Sequence, residues 1–112
     1  MGVMFLITAT VKSDEWKYYW DNGQLYFEGN WNGNVKHGPW KSYYPTGNLL
    51  GMGNYEDGLR DGSFSSYYDN GNIEHEGQFS KGRRDGRWRY YNSDGTLCKE
   101  TFYKNGCTEK SC

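Results

Sequence analysis

The sequence has few of the aliphatic residues that normally fill a protein core, and only two prolines. A chain of 112 residues is expected to form one domain, and this one must bury other side chains. It contains eleven Tyr, five Trp and 16 Gly instead. Aromatic residues bury a large area while keeping a polar atom in water, and so many glycines indicate many turns. The composition therefore predicts short strands joined by turns, and it excludes a disordered chain, which would be poor in aromatics.

A strong net charge, a cysteine framework and a long apolar segment are also lacking. The formal net charge of −1 argues against nucleic acid as the main ligand. Three cysteines, Cys98, Cys107 and Cys112, are an odd number without metal-ligand spacing, so we expect bystander thiols in a reducing, cytoplasmic compartment. The apolar run from Val3 to Val11 is too short to span a bilayer and lacks the basic start of a signal peptide. We interpret it as a first strand.

A repeat with a period of 24 residues organises the rest of the chain. Two of its columns are aromatic: Trp16, Trp40, Phe64 and Trp88, and Tyr19, Tyr43, Tyr67 and Tyr91. Two others are formed by glycines: Gly23, Gly47, Gly71 and Gly95, and Gly29, Gly53 and Gly77. Such regular spacing predicts tandem structural units, each of which packs mainly against its neighbours.

Each copy has the pattern of a β-hairpin. Segments 16–20 and 25–29 are strand-like, and Asn22-Gly23 between them favours a type I′ turn, which needs a positive φ at both residues. Thr46-Gly47 is a weaker match to that turn.

A two-residue turn fixes the register of the hairpin. It places Tyr19 opposite Tyr26 on one face, and on the other it places a large residue opposite a small one: Trp16 with Gly29, Trp40 with Gly53, Phe64 with Gly77 and Trp88 with Thr101. We expect each ring to cover the bare backbone of its partner. The register also predicts favourable charge pairs, Lys17 with Glu28 and Arg89 with Glu100.

These features predict an all-β protein, an elongated single-layer antiparallel meander of tandem hairpins with about nine strands. Residues 1–12 are expected to form an N-terminal capping strand, which we place at 4–11. Residues 13–107 form four repeats, and 108–112 a short C-terminal tail.

Three sequence patterns carry a family resemblance. Gly-x-Trp-x-x-Tyr-Tyr stands at 38–44, the Asn-Gly-Asn turn pattern at 69–73, and the Glu-Gly to Asp-Gly close at 76–86. With these, the chain resembles the MORN family (membrane occupation and recognition nexus), and within it the bacterial variant found in antitoxin-like proteins of the YwqK type. The resemblance spans residues 13–107 and departs in the first copy, at Asp14 and at Asn34. It implies an elongated sheet that recognises a partner, and it supplies no catalytic residues.

No pattern in the sequence indicates catalysis, a metal site or a cofactor. His37 and His75 fall at unrelated repeat positions without ligands at suitable spacing. No serine stands in a nucleophile elbow, and the glycine-rich connectors lack the phosphate-loop pattern. We therefore expect a protein that is not an enzyme.

Two groups of side chains are candidate binding surfaces. The first is a tyrosine row with its neighbours, expected on the face opposite the tryptophans: Tyr19, Tyr26, Tyr43, Leu50, Met52, Tyr67 and Tyr91. The second is a basic patch around one connector: Lys81, Arg83, Arg84, Arg87 and Arg89. For the tyrosines the alternative is stacking on one another, and for the basic patch it is a solubilising turn region.

The sequence thus predicts a cytoplasmic module that binds and neutralises a partner protein, as an antitoxin, an immunity protein or another inhibitor does. One alternative is an aromatic cage for choline or a glycan. Another, less favoured, is association with an anionic membrane through the basic patch. The edge strands of an open sheet also favour a homodimer.

Overall fold

The computed structural model describes residues 3–7 and 14–108. The predicted capping strand is described only in part, because residues 8–13 lie outside the described residues, as do residues 109–112 of the predicted tail. The strands are β1 Val3–Ile7, β2 Asp14–Trp20, β3 Leu25–Asn32, β4 Val35–Lys36, β5 Gly38–Tyr43, β6 Leu49–Glu56, β7 Leu59–Arg60, β8 Gly62–Tyr67, β9 Ile73–Ser80, β10 Arg83–Tyr91 and β11 Leu97–Tyr103.

Nine of these strands follow one another through a single antiparallel sheet, in the order β1-β2-β3-β5-β6-β8-β9-β10-β11. The two-residue strands β4 and β7 lie in the connectors, where they pair with β3 and β6. The described residues measure 45 × 32 × 20 Å. Within them, no helix is long and apolar enough to cross a membrane. The predicted all-β hairpin meander is confirmed.

The register of the hairpin centres is also as predicted. The ring-bearing residue lies opposite the small one in all four copies: Trp16 with Gly29, Trp40 with Gly53, Phe64 with Gly77 and Trp88 with Thr101. The charged residues Lys17 and Glu28 are partners, as are Arg89 and Glu100.

Near the turns the register shifts, and the predicted pair of Tyr19 with Tyr26 is wrong. Tyr18 lies opposite Phe27 but Tyr19 lies opposite Leu25, so Tyr26 is the extra residue of a β-bulge. The same shift recurs in each hairpin and leaves one extra residue at the equivalent position: Leu50, Glu74 and Cys98.

The predicted type I′ turn is wrong as well. The Gly23 amide donates to the Trp20 carbonyl at 2.9 Å, and the Trp20 amide donates to the Gln24 carbonyl at 2.8 Å. This pattern is a three-residue loop in which only the last residue is left-handed. Gly23 has φ 86° and Gly47 has φ 95°, whereas Asn22 and Thr46 are not among the described non-glycine residues with positive φ. A threonine at position 46 therefore suits the turn.

Hydrogen bonds tie each hairpin to the next at both ends of the strands. We call the end with the hairpin turns the turn edge and the end with the connectors the connector edge. At the turn edge, a ring at the end of one hairpin donates to a carbonyl of the next: Trp20 Nε1 to Tyr43 O at 2.9 Å, Tyr44 Oη to Tyr67 O at 2.5 Å and Tyr68 Oη to Tyr91 O at 2.7 Å. At the connector edge, glycine amides donate to the preceding connector: Gly58 N to Lys36 O at 3.0 Å, Gly82 N to Arg60 O at 2.7 Å and Gly106 N to Arg84 O at 2.9 Å.

The protein core is a row of aromatic rings on one face of the sheet, which we call the aromatic face. Trp88 is fully buried and Trp40 is 8% exposed. Ring centroids along the row are 5.8 to 5.9 Å apart: Phe27 to Trp40, Trp40 to Phe64 and Phe64 to Trp88. Each copy therefore buries its rings against the next copy.

The rings cover glycines, but not always in the predicted pairs. A Cβ at position 53 would approach Trp40 Nε1 to 3.0 Å, as expected. At position 77, however, the covering ring is Trp88 of the next hairpin rather than Phe64. At position 29 it is Phe27, at 3.2 Å.

Two of the three cysteines are described. Cys98 is a free, exposed thiol. Cys107 is disulfide-bonded, so the expectation of a bystander thiol is wrong there. Cys112 lies outside the described residues.

Replacing Gly77 by Ala is expected to destabilise the protein by about 1–3 kcal/mol, because the new methyl group would overlap the buried Trp88 indole and force it to move. The measurement is the free energy of unfolding in denaturant. Gly29→Ala is the matched control, since its Cβ would meet Phe27 at 3.2 Å and a smaller adjustment suffices. Equal losses in the two variants would contradict this account of the core.

Candidate functional site

The face opposite the aromatic rings carries a continuous row of side chains that are polar except for Met52. Strand register places these residues side by side across the sheet: Lys17, Glu28, Lys41, Met52, Ser65, Glu76, Arg89 and Glu100. We call this surface the polar face. The tyrosine column lies on it, because each tyrosine follows a member of the row by two residues along its strand: Tyr19, Tyr43, Tyr67 and Tyr91.

Two of these tyrosines are held by carboxylates. Tyr43 Oη donates to Glu28 Oε2 at 2.6 Å, and Tyr91 Oη donates to Glu76 Oε2 at 2.7 Å. Burial, followed by the hydrogen bond and charge of Glu28, raises the pKa of Tyr43 to about 12. The hydrogen bond to Glu76, followed by burial, raises the pKa of Tyr91. Both rings are therefore neutral and oriented at physiological pH.

The centre of the polar face differs from its two ends. Met52 stands at the repeat position that Glu28 and Glu76 occupy in the neighbouring copies. In the described part of the chain, the Tyr67 hydroxyl consequently has no hydrogen-bond partner. The Met52 side chain is among the exposed large hydrophobic residues, at 39%. We call the surface formed by Met52 and Tyr67 the Met52–Tyr67 window.

Two members of the predicted tyrosine surface do not take their predicted positions. Tyr26 is a bulge residue, and its ring packs edge-on against Trp20 with centroids 4.5 Å apart. Leu50 is the bulge residue of the second hairpin, where Leu49 lies opposite Tyr43 instead. Bulges therefore separate both residues from the tyrosines that the simpler register placed beside them.

The predicted basic patch does not form one surface. Arg87 and Arg89 lie on the polar face, where their Nε atoms are 3.6 and 3.0 Å from Glu100 Oε2. The Arg84 guanidinium lies on the aromatic face, 5.1 Å from the Trp88 ring centroid. Lys81 is in the connector turn, and Arg83 is exposed at the start of β10. The chain divides these charges between two faces.

Neither histidine lies in a candidate metal site. No group of three His, Cys, Asp or Glu side chains able to hold a metal occurs within residues 3–7 and 14–108. The His75 ring packs between Phe64 and Tyr90, with centroids at 5.5 and 5.7 Å, and its Nδ1 is 3.2 Å from Glu74 Oε1. Burial lowers the pKa of His75, against the opposing effect of Glu74. His75 is thus part of the aromatic face.

The 24-residue period also aligns three cations that the aromatic columns do not single out. Lys36, Arg60 and Arg84 share the spacing, and all three lie over rings of the aromatic face. The period itself was the sequence signal for this column. The period does not tell on which face of the sheet these cations lie. The register shifts between Asp85 and Arg89, so counting alternate residues from the strand centre is not enough.

Tyr43→Phe is expected to remove one tyrosine that ionises near pH 12. The folded pKa lies above the unfolded value of 10.0, so the stability that Tyr43 contributes is present below pH 10 and is lost as the pH rises towards 12. The measurement is tyrosinate absorbance during an alkaline titration, together with unfolding at each pH. Tyr67→Phe is the control that lacks the carboxylate bond. If as many tyrosines ionise near pH 12 in Tyr43→Phe as in the unaltered protein, the high pKa does not belong to Tyr43.

Comparison with known proteins agrees with this geometry. The family model described as MORN repeat variant matches four segments, residues 15–32, 36–57, 60–81 and 84–105, which together cover three quarters of the chain. The four segments correspond to the four hairpins and their connectors. No curated protein matches the sequence. The chain belongs to the family of MORN repeat variant proteins.

Proposed function

We propose that this chain is a non-enzymatic protein-binding module that neutralises a partner protein, as an antitoxin, an immunity protein or another inhibitor does. The observation that carries the proposal is the Met52–Tyr67 window in the centre of the polar face. The resemblance to antitoxin-like proteins of the YwqK type supports the inhibitory role.

The window has the composition of a protein interface. Binding energy is usually concentrated in a few central residues, with Tyr enriched among them, and a polar rim surrounds that centre. Here the exposed Met52 side chain shares the face with Tyr67, whose hydroxyl has no hydrogen-bond partner among the described residues. The rim consists of Tyr43 with Glu28 on one side and Tyr91 with Glu76 on the other.

The rim is ordered before a partner arrives. Tyr43 and Tyr91 are fixed by bonds of 2.6 and 2.7 Å to carboxylates, so little side-chain entropy remains to be lost on binding. The same bonds occupy the carboxylates Glu28 and Glu76 as acceptors, and the proposal therefore assigns them a structural role rather than a catalytic one.

The two alternative functions are less well supported by the surfaces. An aromatic cage needs free ring faces, but the chain's own Lys36, Arg60 and Arg84 lie over the aromatic face. Membrane association through the basic patch needs the cations on one side, whereas Arg87 and Arg84 lie on opposite faces of the sheet. We place the protein in the cytoplasm with its partner only as part of this proposal.

Met52→Glu is expected to weaken partner binding at least about tenfold, because a carboxylate would replace the apolar side chain at the centre of the interface and would accept the Tyr67 hydroxyl, as Glu28 does that of Tyr43. The measurement is affinity capture from the native host with quantitative mass spectrometry, followed by titration of the captured partner. Leu59→Glu is the matched control: Leu59 is also exposed, at 48%, but it lies at the connector edge.

Three results are informative. Loss of a stoichiometric partner in Met52→Glu alone would support both the function and the window. Equal loss of the partner in both variants, or retention of the partner in both, would refute the window as the contact site. Capture of no protein at all by the unaltered chain would refute the proposed function.

A further inference from the structure

The cation column, formed by Lys36, Arg60 and Arg84, is built into the repeat. Each cation lies opposite an aromatic residue at the end of the preceding long strand: Trp31, Tyr55 and Phe79 respectively. The carbonyl of each cation accepts the glycine amide of the next connector, at 3.0, 2.7 and 2.9 Å. The backbone of the column is therefore held in line along the connector edge.

The charged groups lie within about 6 Å of the ring centroids of the aromatic face. Lys36 Nζ is 5.2 Å from the Tyr55 centroid, and Arg60 Cζ is 5.4 Å from the Phe79 centroid. Arg84 Cζ is 5.1 Å from the Trp88 centroid and 5.7 Å from that of Tyr103. These cation–π contacts restrict the side chains while leaving the outer sides of Arg60 and Arg84 exposed.

Arg87 and Arg89 pair with Glu100, but the column has no counter-ion among residues 3–7 and 14–108. Among the described residues, none of Lys36, Arg60 and Arg84 forms an ion pair. The connectors do contain carboxylates, but the Asp61 carboxylate accepts the Lys81 amide at 3.2 Å rather than pairing with a member of the column. Three aligned, ordered cations without partners are a surface for an anionic ligand.

The interval between the cations indicates the form of that ligand. Successive cations are two inter-strand steps apart, and each step is about 4.8 Å, so their backbone positions recur at about 10 Å. A polyproline II segment rises about 3.1 Å per residue with three residues per turn, so every third side chain returns to one face after about 9.3 Å. In a β-strand, side chains on one face recur at about 6.6 Å, which does not match.

We propose that the cation column binds an acidic segment of a partner protein in the polyproline II conformation, with Asp or Glu at every third residue. Three carboxylates then meet Lys36, Arg60 and Arg84 in turn. This surface is on the opposite face of the sheet from the Met52–Tyr67 window, so the inference goes beyond the proposed function and does not depend on it.

A protein segment fits the column better than a lipid surface does. A membrane would draw on all basic residues of the connector edge, including Arg83 and Lys104, and it would not select for one spacing. A segment that lies along the column needs only the three aligned charges. The spacing of its carboxylates is therefore the property to test.

The test uses two synthetic labelled peptides of identical composition and the full chain at low salt. In one peptide three Glu residues are separated by pairs of prolines, and in the other the three Glu residues are adjacent. Fluorescence anisotropy gives the affinity of each. We expect the spaced peptide to bind at least about fivefold more tightly, and its binding to weaken as salt is added.

Variants of the column provide the second arm. Arg60→Gln is expected to weaken binding of the spaced peptide about 2- to 5-fold, and the triple Gln variant of Lys36, Arg60 and Arg84 to abolish it. Arg60→Lys keeps the charge and should retain most of the affinity even if the repeat is slightly destabilised. Arg83→Gln is the matched control, since it removes one exposed arginine next to the column and should leave the affinity unchanged.

Preference for the spaced peptide, lost in the triple variant and kept in Arg83→Gln, would support the proposal. Equal binding of the two peptides would overturn it, as would equal losses in Arg60→Gln and Arg83→Gln. Salt-sensitive binding to phosphatidylserine vesicles without binding to the spaced peptide would overturn it in favour of a lipid surface. Met52→Glu should bind the spaced peptide normally, which separates this result from the test of the window.

Discussion

The packing of aromatic rings across neighbouring hairpins is the interaction on which the rest of the structure depends. A single-layered sheet has no second layer to cover it, so the rings on one face must shield one another from water. Trp88 reaches complete burial in this way, beneath Phe64 and Phe79 and against the backbone of Gly77. A side chain at position 77 would leave no room for the indole, so the burial of Trp88 requires a glycine there.

Ring packing also divides the molecule into two chemically different surfaces. One face is used for stability, and its outer layer consists of the cations that lie over the rings, such as Arg60 and Arg84. The other face carries no packed row of rings, so folding constrains its residues less. That freedom explains how Met52 can replace a glutamate in the middle of the row without disturbing the sheet, since the side chain points away from the core.

Much of this arrangement was predictable because it depends on period and alternation alone. The 24-residue spacing predicted the number of hairpins, and the pairs of Trp16 with Gly29 and Lys17 with Glu28 followed from counting outward from the turn. The turn itself was less predictable. Asn-Gly is compatible with two loop types of different length, and the bulge at Tyr26 compensates for the longer one before the strand centre is reached. The errors in the hairpin register therefore stayed local, between each turn and its bulge.

The sequence by itself determined the fold class, the 24-residue period and the face on which each central strand residue lies, because strand alternation is a property of the local backbone. Only the tertiary structure decided which groups meet between hairpins. The bond from Tyr43 to Glu28, the covering of Gly77 by Trp88 and the alignment of the cation column all join residues of different copies. Those contacts depend on the bulges and on the stacking of one repeat upon the next. Neither can be found by counting residues along the chain.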